Sequence, residues 1–115
     1  MELKRFMPVS QITRYDITNT AGEDLGQVEN FVIDMLTGKI SFAIAAFGGI
    51  LGLTDKWFAI PWGLLSLSLD QKKFILEIPR EILEKAPGME KDTWPDEVDL
   101  TWLEEVYKFY GLEID

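Results

Sequence analysis

AFGGILGLTDKWFAIPW, residues Ala46 to Trp62, sets three glycines between two apolar runs, and how those glycines are read decides the fold. Gly48, Gly49 and Gly52 give Gly-Gly-x-x-Gly, without the Lys-Ser/Thr of a phosphate loop and without a following helix whose N-terminus could hold an anion. A strand follows instead, Lys56 to Trp62, closed by Pro61, which cannot donate to a ladder and so ends the strand or places it on an edge. The glycines therefore read as backbone geometry, positive φ angles and close strand approach at a tightened corner, rather than as a phosphate site.

Outward from that corner, short strands alternate with turn residues at even intervals from Gln11 to Pro79, with no helix signal between them. Arg14 to Thr18 is a first strand, and Asn19 to Asp24 is a tight connection. Leu25 to Met35 is a second strand whose apolar triplet Phe31-Val32-Ile33 calls for a bulge or for burial on both faces. After the turn Leu36 to Lys39, the run ISFAIAAF, Ile40 to Phe47, reads as a central strand packed closely on both sides. Leu65 to Leu69 and Phe74 to Ile78 form a hairpin about Asp70 to Lys73. Pro79 then opens a short helix carrying Ile82 and Leu83, stopped by Pro87-Gly88.

The last segment changes character. Asp99 or Thr101 can cap a helix in which Trp102, Leu103, Val106, Phe109 and Tyr110 recur at helical spacing before Gly111 ends it. The stripe is expected to pack on the sheet of its own chain or on a partner, and Trp102, Val106, Phe109 and Tyr110 are the candidate interaction residues. The organisation expected is an N-terminal arm over 1–9, a barrel domain over 10–86, an acidic linker over 87–98 and a C-terminal helix over 99–111.

Chemistry is bounded by what the 115 residues lack. No cysteine and no histidine occur. Disulfides, thiolate nucleophiles, imidazole ligands and His-dependent triads are thereby excluded, and a reducing, cytoplasmic setting is expected. Asp55 and Lys56 are adjacent on an extended chain and so point to opposite faces, which argues against a catalytic pair. Asp92, Asp96, Glu97 and Asp99 lack the order of a calcium loop and read as a solvated linker. Trp57, Trp62, Trp94 and Trp102 read as core or interface rings before they read as base-stacking platforms, with Trp62 placed inside. The net charge is −9, and Met89 to Asp115 alone carries nine acids against two lysines. Such a surface repels phosphate backbones, so direct nucleic-acid binding is disfavoured, and Lys4, Arg5 and Arg14 are the one basic group that could oppose this. No apolar run is long enough to span a bilayer, and no cofactor or metal site is expected.

Four motifs in order carry a resemblance: Gly22-x-x-Leu25-Gly26-x-Val28; Val32-Ile33-Asp34 with Thr37-Gly38; Gly48-Gly49-x-Leu51-Gly52; and Lys56 with Ala59-Ile60-Pro61-Trp62. Together they resemble the PRC-barrel family, named for the cytoplasmic part of the photosynthetic reaction-centre H subunit. Ala86 to Glu97 and Trp102 to Gly111 look like the extension of its short stand-alone members, and Gly63 departs from the serine often found there. The resemblance implies a mainly β fold: a small closed or partly open barrel of about six strands, with a short helix and a C-terminal amphipathic helix. It implies a non-enzymatic protein-interaction or assembly module whose partner is another protein, a second copy included. The alternatives are an accessory role in RNA processing or ribosome maturation, and a small ligand bound at the Gly48 to Lys56 loop. Gly22, Gly26, Asp34, Gly38, Gly48, Gly49, Gly52, Lys56, Pro61 and Trp62 are its structural signature.

Overall fold

A computed structural model describes residues 5–48, 55–95 and 97–114. Gly49, Gly52 and Lys4 lie outside the described residues, as does Asp96. Seven strands form one sheet: β1 (Asp16–Thr18), β2 (Asp24–Asp34), β3 (Lys39–Gly48), β4 (Asp55–Pro61), β5 (Leu65–Ser68), β6 (Lys73–Leu76) and β7 (Gly88–Glu90). Their order is β5-β6-β1-β2-β3-β4-β7. Neighbours are antiparallel except β1 and β6, which run parallel with Ile17 beside Phe74. Among the described residues there are also three α-helices, α1 (Val9–Ile12), α2 (Arg80–Leu83) and α3 (Leu100–Phe109), and two 3-10 turns, Trp62–Leu64 and Lys91–Thr93. None is long and apolar enough to cross a membrane.

Of the closed or partly open barrel of about six strands that was expected, closure is not found: among the described residues the sheet has seven strands, and its ladder ends at β5 on one side and β7 on the other. The added strand, β7, lies inside the stretch read as an acidic linker. Three residues are too few to show a strand period, and what places them is tertiary: Lys56, Trp57 and Phe58 pair with Glu90, Met89 and Gly88. A Cβ on Gly88 would press on the Phe58 ring, so only glycine lets the two strands approach. The sheet still curls, because β4, one strand in from the far edge, is joined to edge strand β5 by a single 3-10 turn, Trp62–Leu64.

Two cores result. Ile17, Leu25, Val28, Ala45, Phe47, Phe58, Ile60, Phe74 and Leu76 fill the inside of the curl, with Ile12 of α1 and Leu83 of α2 closing its ends. On the outer face Phe42, Ile44 and Ala59 meet Leu103 and Val106 of α3. Alternate residues of β3 therefore serve opposite cores, which is why ISFAIAAF is apolar throughout rather than every second residue. The Phe31-Val32-Ile33 run is resolved the same way. The register shift between Val28 and Asn30 turns Phe31 to the inner core and Val32 to the outer, and the shift between Val32 and Ile33 is followed by an exposed Ile33. β4 ends at Pro61 as its missing donor requires. One turn of helix, α1, appears where no helix signal was read, since four residues are too short to display a helical repeat.

Candidate interaction surface

The signature residues that the structure describes do backbone work. Gly22 and Gly38 take φ angles of +84° and +75° in the turns flanking β2, and Gly26, at φ +112°, faces the Ala46 carbonyl so closely that a Cβ would collide with it. Pro61 is fully buried, and Trp62 stacks edge-on to Phe31 and Phe74, with ring centroids 5.7 and 6.0 Å away. Lys56 is exposed, opposite Glu90 in the β4–β7 ladder. Gly48 closes β3, while the remainder of the glycine loop falls outside the described residues.

Asp34 has a second consequence. Its Oδ1 accepts from the Leu36 amide at 2.8 Å, and its carbonyl accepts from the Gly38 amide at 2.7 Å, which fixes the β2–β3 turn. That turn holds Met35 and Leu36 in water at 85% and 98% exposure, with Ile33 half-exposed behind them. Large apolar side chains at a hairpin tip gain nothing from the fold that carries them. Sequence reading treated Leu36 to Lys39 as a turn and passed over the tip. The available signal was the Met-Leu pair immediately ahead of Thr37-Gly38, where polar residues would serve the turn equally well.

Beneath the tip is a groove of about 500 Å³. Asp34, Lys39 and Ile40 form one wall, Trp62 and Gly63 the corner, and Ile114 of the C-terminal tail the other wall. Two of its polar groups are engaged in structure: Asp34 as above, and Tyr107, whose hydroxyl donates to the Ser41 carbonyl at 2.9 Å and lies 3.2 Å from the Ser41 Oγ. Lys39 and Glu113 also line it.

The helical stripe is placed otherwise than an exposed interaction surface requires. Val106 is wholly buried, and Trp102, Phe109 and Tyr110 are half-buried against this chain's own cores. Trp102 meets Trp94 edge-on at 5.3 Å, and Trp94 meets Trp57 of β4 at 6.1 Å, so a ladder of three indoles pins the helix and the preceding segment to the sheet. Burial pushes the Tyr110 phenol well above its ordinary pKa, and its hydroxyl has no hydrogen-bond partner among the described residues.

Elsewhere the charged groups have local uses. Arg14 faces Glu29 at 3.7 Å and Arg5 lies 5.0 Å from the centre of the Phe6 ring. The carboxyl of Glu23 is held below the usual range, first by the Asn19 side chain and then by the Arg80 amide, and Asp70 likewise by Ser68. Among the described residues no group of three acidic side chains could hold a metal ion.

Compared with known proteins, the sequence matches the family model for the PRC-barrel domain over residues 4–83. No curated protein matches it. β7, the indole ladder and α3 fall partly or wholly beyond the matched span.

Proposed function

The chain belongs to the PRC-barrel family, and from that premise we propose that it is a non-catalytic protein-interaction module that docks another protein through the β2–β3 hairpin tip. The observation that carries this reading is the pair Met35 and Leu36, held in solvent by the Asp34 turn. Burying one such side chain on docking removes enough apolar surface to contribute roughly 1.5–3 kcal/mol, so two suffice for the centre of a modest interface. The net charge of −9 favours a neutral or basic partner and disfavours a phosphate backbone. PRC-barrel domains in general act as binding modules, which supports that role.

A photo-reactive amino acid at position 36 tests the reading in the native cell. The expected result is one discrete adduct that disappears in the Met35→Asp background and is absent when the photo-reactive group sits at exposed Lys85. A smear, or equal adducts from both positions, contradicts it.

A further inference from the structure

The two edges of the sheet are finished differently. β7 has three residues, carries Glu90 and runs directly into the 3-10 turn Lys91–Thr93, after which Trp94 packs on Trp57. Shortness, charge and an overlying segment are what keep an edge from pairing with a stranger. β5, at four residues, is scarcely longer, but it lacks the charge. From Gly63 to Leu69 there is neither charge nor proline, and its register with β6 runs without a bulge from Leu65↔Leu76 to Ser68↔Lys73. No other described strand pairs with it.

In an antiparallel ladder alternate residues turn both N–H and C=O away from the neighbour, so half of β5 offers donors and acceptors outward. Its side chains fit a guest strand: Ser66 is exposed, Leu65 and Leu67 are half-buried at the rim of the inner core, and Leu69 extends the apolar row into solvent. What such an edge recognises is an extended backbone whose apolar side chains fall on the Leu65–Leu67 side.

We propose that the free edge of β5 takes an extended, cationic segment of a partner protein as an eighth strand. The backbone supplies the register and the apolar row supplies the orientation. Charge selects the guest: a second copy would bring another −9 onto this chain, whereas a Lys- or Arg-bearing segment is drawn to it.

The test titrates the isotopically labelled full chain with an end-capped peptide of about ten residues alternating Val and Lys, followed by amide NMR. A control peptide has its two central valines replaced by proline, which keeps the charge and removes strand pairing. The expected result is shifts and at least about tenfold slower hydrogen exchange at residues 65–68, with the proline peptide at least about tenfold weaker. Equal binding of both peptides means charge attraction alone and overturns the proposal. So do shifts centred on α3, no binding, or β5 protection that rises with protein concentration before any peptide is added, which would show a second copy on the edge. Met35→Ser with Leu36→Ser, which leaves the net charge as it is, is expected to leave the titration unchanged, so failure at the hairpin tip and failure at β5 are read separately.

Discussion

Gly26 shows how one residue can determine the joining of two strands. Its positive φ and the Ala46 carbonyl above it leave no room for a side chain, so Gly26→Ala combines backbone strain with a clash between β2 and β3. A loss of at least about 3 kcal/mol is expected in denaturant unfolding. Tyr110 is the opposite case. Its buried hydroxyl has no partner among the described residues, so Tyr110→Phe removes an unsatisfied group and is expected to leave stability unchanged or raise it by up to about 1 kcal/mol. The pH dependence has a definite sign. The folded phenol holds its proton more tightly than the unfolded one, which ionises near pH 10. Stability from this group is complete below about pH 10 and falls as the pH rises further, and Tyr110→Phe is expected to make that alkaline decline shallower in unfolding curves followed from neutral to strongly basic pH. The turn glycines Gly22 and Gly38 and the strand end at Pro61 were legible because their backbone demands are local. Met35 and Leu36 carried a local signal, a large apolar pair ahead of a turn, but their exposure depends on which way the turn projects, and that is set by the pairing of β2 with β3.

Among the elements, α3 and β7 contrast. The helix announced itself through period and cap. Asp99 accepts from the Thr101 and Trp102 amides at 2.8 and 3.3 Å, and Gly111, at φ +75°, follows its end. Asp99→Ala is expected to cost about 1 kcal/mol. Leu103→Ala, beneath the helix, is expected to cost about 2–5 kcal/mol in the same unfolding measurement. The face on which the helix lies was not written in its own stripe, since an aromatic row fits a partner as well as a sheet. The deciding contacts come from distant residues, Trp57, Ser41 and Phe42, whose positions depend on β3 and β4 being paired. β7 was missed for the same reason: it is a strand because β4 is beside it, and Gly88 is glycine because Phe58 is beneath it.

At the scale of the molecule, a curled but unclosed sheet has an inside filled by its own strands and an outside that would be partly apolar if left bare. The family match ends at residue 83, and the chain beyond it supplies the cover: β7 lengthens the sheet, the three indoles bridge to it, and α3 seals Phe42, Ile44 and Ala59. Cutting the chain after Val98 uncovers that patch, and the truncated protein is expected to associate, seen as a concentration-dependent rise in mass by light scattering. α3 seals its own chain, which leaves the two proposed docking surfaces, the hairpin tip and the β5 edge, uncovered by it. An isotope-filtered NMR experiment on a mixture of labelled and unlabelled chains tests this most directly, through the contact between the Tyr107 ring and Ser41. The account predicts that the contact is strong in the uniformly labelled protein and missing from the filtered spectrum of the mixture. Its appearance between labelled and unlabelled chains would mean that the helix covers a second copy, and would contradict the account.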